Sequence, residues 1–356
     1  MLKYPRKIWN WFRLEVYAIP WKMITFVFLV FLILFPLITT NSYILRIMTF
    51  ACIFAIFSSS WDLLAGYLGL LNLGHTAFFG VGAYTAALLN KHLGFGPLFS
   101  IPCGAVMAVL AGLIIALPTM RLRGLYLSLV TLAYPMVLSG LIYIFPDFTG
   151  AELGIFGLSR MSFSPVVNYY IVLPVMIVSL LVMWKFTDTT SRFVRTGVIF
   201  HAVHEDEISA RASGINTTFY KSIGFCISGF FAGLAGGLYA HFMTIADPST
   251  LELMFSFDAI LWACLGGLNT IYGAVAGVFF LYPLVEFLRL NELGDDIRII
   301  FKALILMAVL LFMPEGFTTW IRDHIEINCP RCKIANLWTR NNCRACRANL
   351  RRDMHV

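Results

Sequence analysis

Four cysteines near the C-terminal end carry the most specific chemistry in this chain. Cys329 and Cys332 in "CPRC", with Cys343 and Cys346 in "CRAC", form the spacing C-x2-C-x10-C-x2-C. Two such hooks bring four thiolates around a tetrahedral zinc, and a tail with no apolar core needs a staple of that kind to fold. Sulfur fills every position, so the spacing predicts a structural Zn2+ with no open coordination site. A disordered or redox-active tail is the competing reading, and a reducing compartment disfavours disulfides there. Cys52, Cys103, Cys226 and Cys264 fall in apolar runs, where a free cysteine behaves as a small hydrophobe.

The other polar groups of interest interrupt apolar sequence. "WDLLAGYLGLLNLGHTAFFGVGAY" (61–84) carries Asp62, Asn72, His75 and five glycines. Part of it returns in the second half: "LGLLNLGHTAFFG" (68–80) and "LGGLNTIYGAVAG" (265–277) share L-G-x-L-N, followed after seven residues by glycine. Paired glycine-interrupted hydrophobic segments in corresponding positions point to a transporter built from two related halves, with broken helices beside the pathway. Gly69, Asn72 and His75 in the first segment, Gly266 and Asn269 in the second, and Asp62 are therefore candidate translocation residues. Central helix packing is the alternative for the glycines, and cross-helix hydrogen bonding for Asn72 and His75. Asp62 reads first as an interfacial carboxylate snorkelling to water beside Trp61, and second as a buried partner in the pathway. "GFFAGLAGG" (229–237) reads as small-residue helix contact.

The elements that must hold these groups are membrane helices. The chain has 356 residues, 59% hydrophobic and only 13% charged, with a mean hydropathy of +0.81. Apolar runs at 23–40, 44–60, 98–120, 124–145, 166–186, 219–243, about 255–288 and 297–314 suggest an all-α polytopic bundle of about eight to ten spans. No period-two alternation accompanies them, which excludes a membrane β-barrel. The first run has a basic flank but no small-residue cleavage site after it, so it reads as a retained signal anchor.

Charge orients the bundle. Lys3, Arg6, Lys7, Arg13 and Lys22 precede the first span; Arg121 and Arg123 sit in a short turn; Arg192 and Arg195 lie in the loop after 186; eight Lys/Arg follow residue 320. The positive-inside rule puts all four segments, and both termini, in the cytoplasm. Residues 146–167 and 244–258, the latter with three acids and no base, face outside. The net charge of +7 is then explained by flanks near anionic lipid and calls for no nucleic acid. Three regions follow: a basic segment 1–22, a transmembrane domain 23–318 with a cytoplasmic loop 187–218, and a tail 319–356.

Within that loop "HEDEISARASGI" (204–215) has acids at its start, Arg211 toward its end and Gly214 as a stop, predicting a single short surface helix. His201 and His204 do not have the H-E-x-x-H spacing of a metal site. The chain has no G-x-x-x-x-G-K-[ST] phosphate loop and no series of intramembrane acids for a proton relay. A polytopic protein with neither engine but a charged cytoplasmic helix suggests a separate ATPase docking there, and no catalytic activity of its own.

The residues also carry a resemblance. "WDLLAGYLGLLNLGHTAFFGVGAYTAALL", "RLRGLYLSLVTLAYPMVL", "AVHEDEISARASGINTTFYKSIGFCISGFFAGLAGGLY" and "ILWACLGGLNTIYGAVAGVFF" occur in order over roughly 40–315. Together they resemble the branched-chain amino acid permease family of ABC importers, nearest to the second of the two permeases of the high-affinity leucine, isoleucine and valine system. That resemblance implies a second homologous permease subunit, two cytoplasmic ATPase subunits, an external substrate-binding protein and alternating access. It places ATPase docking at Glu205, Asp206, Glu207, Ala210, Arg211 and Gly214. Family members for urea or short amides make the substrate a class. A membrane-anchored scaffold working through its zinc tail, and a stand-alone carrier, are the competing functions. The chain departs from the family in its cysteine tail and in "FTGAELGIFGLSR" (148–160), where relatives are richer in Gly, Thr and Asp.

Overall fold

The computed structural model describes residues 20–119, 124–189, 195–290, 295–313 and 315–329, with residues 332, 335–337, 343, 346 and 349. The charges at Lys3, Arg6, Lys7, Arg13, Arg121, Arg123 and Arg192, and most of the basic residues of the tail, lie outside the described residues. Helix α1 (Pro20–Ile38) belongs to one compact unit with the residues from Phe317 onward; Asn41–Gly316 form the other.

In the larger unit the helices are α2 (Ser42–Leu68), α3 (Thr76–Leu93), α4 (Pro97–Thr119), α5 (Leu125–Ile144), a turn α6 (Pro146–Thr149), α7 (Pro165–Thr187), α8 (Thr196–Glu205), α9 (Glu207–Ala212), α10 (Thr217–Met243), α11 (Leu253–Gly266), α12 (Ile271–Leu290) and α13 (Asp295–Phe312). Six helices among the described residues are long and apolar enough to cross a membrane: α2, α4, α5, α7, α10 and α12. Shorter apolar helical stretches are Met23–Ile38, Leu253–Gly266 and Ile299–Val309. The chain is thus a multi-pass, all-α membrane protein. The apolar stretch 255–288 is not one element, because α11 stops at a break over 267–270. At about 1.5 Å per residue its 14 residues reach only about two-thirds of a bilayer's hydrocarbon core.

Helix α2 is the axis of this unit. The Asn41 side chain caps it by accepting from the Tyr43 amide at 3.0 Å, and Gly69, at φ +68°, closes it with its amide bonded to the Leu64 carbonyl. Its apolar window is 94% buried, and it packs against α7, α10, α11 and α12. Lipid is as apolar as leucine, so burial gives little drive here and close packing with interhelical hydrogen bonds must supply it. Ser58 donates to the Ala259 carbonyl at 3.0 Å, and Ser228 donates to the Ser60 carbonyl at 2.7 Å. Helices α3, α4 and α10 form the second tight group. The "GFFAGLAGG" segment lies in its interface, where a side chain at Gly233 would strike Ala108. By contrast α4, α5, α7 and α13 turn large apolar side chains outward, Ile114, Ile144, Leu181 and Leu311 among them, as lipid-facing helices do.

A two-residue antiparallel pairing of β1 (Ile155–Phe156) with β2 (Ile245–Ala246) joins the connections after α5 and α10. The two segments expected on the same side of the membrane therefore lie at the same end of the bundle.

Candidate functional site

The two L-G-x-L-N segments are both breaks in the backbone, and one helix holds both. Trp61 Nε1 donates to the Asn72 carbonyl at 2.7 Å, fixing the first break. The next residue, Asp62, accepts from the Asn269 amide at 3.1 Å, fixing the second. Asn72 and Asn269 occupy the same position of the repeated motif. Neighbouring residues of α2 thus staple equivalent points of the two halves.

Asp62 lies well inside α2 and is fully buried, so the reading of it as a snorkelling residue at a helix end is corrected. The reason is that α2 runs on to Leu68, eight residues past the apolar run 44–60. One carboxylate oxygen accepts from Asn269; the other, Oδ2, is buried and has no hydrogen-bond partner among the described residues. Asn269 itself takes φ +61°, a left-handed conformation that asparagine tolerates, and is exposed. Gly266 is required by contact, since a Cβ there would overlap the Gly273 carbonyl across the break.

Asn72 and His75 sit in the packed interior of the first break. Asn72 Oδ1 accepts from the Gly74 amide at 3.0 Å, and its Nδ2 lies 3.5 Å from His75 Nδ1. That leaves His75 Nε2 to donate to Ser60 Oγ at 2.9 Å, while Ser60 donates to the Phe57 carbonyl at 2.7 Å. The imidazole stacks on Phe57 at a 4.9 Å centroid distance. Gly69, in contrast, is exposed and meets a different element: a Cβ there would stand 2.9 Å from the His204 ring of α8. A cavity of about 240 Å³ lies at this junction, lined by Leu68, Gly69, His204, Glu207 and Lys221 among others.

The single helix expected over 204–215 is instead two, meeting at Asp206. Asp206 is extended (φ −154°, ψ 106°), and its carboxylate caps α9 by accepting from the Ile208 and Ser209 amides at 2.8 and 3.2 Å and from Ser209 Oγ at 2.6 Å. The Ser209 hydroxyl and these two amides hold the Asp206 carboxyl below the usual aspartate range. Glu207 faces inward to a partly buried network: Lys221 Nζ at 2.8 Å, Arg211 at 2.6 Å and Thr217 Oγ1 at 3.1 Å. Partial burial works to raise the Glu207 carboxyl, but the hydrogen bond and charge of Lys221, with Thr217 and Arg211, outweigh it and keep it low. Ala210 is buried, whereas Glu205, Asp206, Arg211 and Gly214 are exposed. Gly214, at φ +83°, closes α9.

Sequence reasoning singled out the charges of this surface and passed over its apolar members. Ile208 is 66% exposed, and Val198 and Phe219 are also exposed nearby in sequence. Lys221 was missed as well, although a lone lysine at the start of an apolar run signals a nearby carboxylate.

In the smaller unit β3 (Glu326–Asn328) and β4 (Ala335–Leu337) pair antiparallel after helix α14 (Phe317–Ile325). The four sulfurs of Cys329, Cys332, Cys343 and Cys346 lie within 4.8 Å of one another, with Cys329–Cys346 and Cys332–Cys343 both at 3.5 Å. A tetrahedron of zinc–sulfur bonds has sulfur–sulfur edges of about 3.8 Å, so the cluster fits the ion. Asn336 Nδ2 stands 3.5 Å from Cys343 Sγ, positioned to donate to a ligating thiolate.

Comparison with known proteins completes this picture. The chain is 26% identical over 344 residues to the high-affinity branched-chain amino acid transport system permease protein LivM of Salmonella typhimurium, covering 88% of this chain and 78% of that one. It is 28% identical over 313 residues to LivM of Escherichia coli, covering 79% and 71%. It is 26% identical over 263 residues to the probable branched-chain amino acid transport permease protein LivH of Methanocaldococcus jannaschii, covering 67% and 79%. No solved structure matches the chain. The model of the family described as branched-chain amino acid transport system / permease component matches residues 43–313, from the first turn of α2 to the end of α13 and across both breaks, and the chain belongs to that family.

Proposed function

We propose that the chain is the transmembrane permease subunit of an ABC importer that moves leucine, isoleucine and valine into the cell. It works by alternating access, driven by separate ATPase subunits, and binds no nucleotide itself. Its partners are a second homologous permease, two cytoplasmic ATPases and an external substrate-binding protein. The transmembrane domain is 23–318, the termini are cytoplasmic, and the docking surface is Glu205, Asp206, Glu207, Ala210, Arg211 and Gly214, with Ile208 as its apolar anchor.

The observation that carries this reading is the seat of α8 and α9 on the first break. Force applied at α9 reaches α8 directly, and His204 of α8 lies against Gly69. The break is tied to α2 by Trp61, and Asp62 next to it holds the second break. One helix with a staple to each half is a route by which ATPase closure reorients both breaks. Asp62, Gly69, Asn72, His75, Gly266 and Asn269 then act as the moving joint of the translocation route.

Co-purification tests it. An ATPase accompanies the wild-type chain and is lost when Glu205, Asp206 and Glu207 are changed to Ala. Uptake of labelled leucine into proteoliposomes without ATPase or binding protein would overturn the reading.

The tail holds one structural Zn2+ through Cys329, Cys332, Cys343 and Cys346, which supplies folding energy there and no chemistry. Metal analysis of gently purified protein gives about one zinc per chain, abolished by Cys329→Ser with Cys343→Ser. A preparation with full occupancy of the bundle and no metal contradicts it.

A further inference from the structure

One cavity lies away from both breaks, at the end of the bundle formed by the start of α2 and the ends of α10 and α12. It has a volume of about 650 Å³, within the range of small-ligand sites. One wall is aromatic: Phe54 lies 5.1 Å from both Trp262 and Tyr282, and Phe50 lies 5.8 Å from Tyr239, centroid to centroid. The rim is charged, and its charges are not all balanced. Lys302 pairs with Asp258 at 2.9 Å, and Glu286 takes Arg289 at 3.3 Å and the Tyr43 hydroxyl at 2.9 Å.

Arg46 is the exception. No described carboxylate comes within 4.0 Å of its guanidinium, whose contacts are Met243 Sδ at 3.4 Å and the Phe50 ring at 5.7 Å. It also lines a second, adjoining cavity of about 300 Å³. A fork of donors held over an aromatic wall, with no acid among the described residues to receive it, is suited to a planar anion such as a carboxylate. Glu286 and Asp258 keep unused acceptor positions after their present bonds, since a carboxylate offers about four.

We propose that this cavity is a transit site for a zwitterionic α-amino acid with an apolar side chain. Arg46 takes the α-carboxylate, the Glu286 and Asp258 carboxylates receive the ammonium group, and the side chain lies against Phe54, Trp262 and Tyr282. The inference rests on the importer reading, in which the basic flanks are cytoplasmic and this end faces the binding protein. The permease then contributes to selectivity: the aromatic wall favours leucine over alanine, and the Arg46 fork rejects molecules that lack a carboxylate.

Equilibrium binding of tritiated leucine to the full chain in lipid nanodiscs tests the site. Unlabelled leucine displaces the label, whereas leucinamide, which lacks the carboxylate, and 4-methylpentanoate, which lacks the ammonium group, compete at least about tenfold more weakly. Arg46→Gln weakens binding about tenfold or more, and Arg46→Lys recovers part of it, which a folding defect would not allow. Equal binding by Arg46→Gln and wild type, or equal competition by leucinamide, overturns the site. So does an absence of binding at millimolar leucine; ATPase co-purification is read on the same preparation and decides the importer reading separately.

Discussion

The two breaks begin from the same five-residue pattern and end in different surroundings. In the first, Asn72 and His75 are buried and bonded to Gly74 and Ser60, and the exposed Gly69 bears α8. In the second, the equivalent asparagine is exposed, and its amide is held by a buried carboxylate whose other oxygen has no partner among the described residues. The motif specifies where the backbone breaks, because L-G-x-L-N supplies a glycine and a residue tolerant of unusual backbone angles. What each break does is set by what packs on it. The first is bonded within itself and carries α8; the second is held from α2, by Asp62 at Asn269 and by Ser59 at Ile271, and by close backbone contact at Gly266.

That contrast can be sharpened or broken by mutation. The largest effect is expected at Gly266→Val, where the new side chain meets the Gly273 backbone: a loss of about 4 kcal/mol or more, seen as failure to recover folded protein in a thermal unfolding screen. Recovery of wild-type stability would show that the second break is loose. Asp62→Leu strands the Asn269 amide and costs about 1 to 3 kcal/mol, whereas Asp62→Asn keeps an acceptor for it and removes a buried charge at little cost. Equal destabilisation by the two would show that the carboxylate charge itself is needed. Trp61→Phe keeps the ring and loses one hydrogen bond to the first break, worth about 1 kcal/mol, and a larger shift in melting temperature would mean the first break is less self-sufficient than its bonding suggests.

The smallest effect is one of pH. The folded pKa values of Asp206 and Glu207 are depressed, so their contribution to the α9 structure is complete above the unfolded carboxylate values of about 4 and is lost as pH falls through the lower folded values. ATPase retention should therefore be flat from neutral pH down to about pH 5 and decline below pH 4. A decline centred near pH 6 would contradict this assignment.

Much of this was legible in the sequence. The paired motif located both breaks, and "GFFAGLAGG" announced helix contact, because closely spaced small residues in an apolar run let two helices approach. The four-cysteine spacing marked the tail cluster for the same kind of reason. Asp62 was misplaced because hydropathy ends a span where polar residues begin, whereas α2 runs on past Ser58, Ser59 and Ser60 by bonding each hydroxyl to a carbonyl. The division of α8 from α9 was missed because Asp206 caps a helix by a local side-chain bond, which composition does not distinguish from a first-turn acid. The staples could not be read at all: Asp62 and Asn269 are 207 residues apart, and only folding brings them together.

The central claim is the proposal that the first break transmits motion from α8 and α9 to the bundle. Its most direct test is ATP-driven leucine uptake by the full complex in proteoliposomes, comparing wild type with Gly69→Ala, which adds a methyl against His204 at a left-handed backbone position. The account predicts that ATP hydrolysis persists while uptake falls about tenfold, giving an uncoupled transporter. Unchanged uptake per ATP hydrolysed would contradict it.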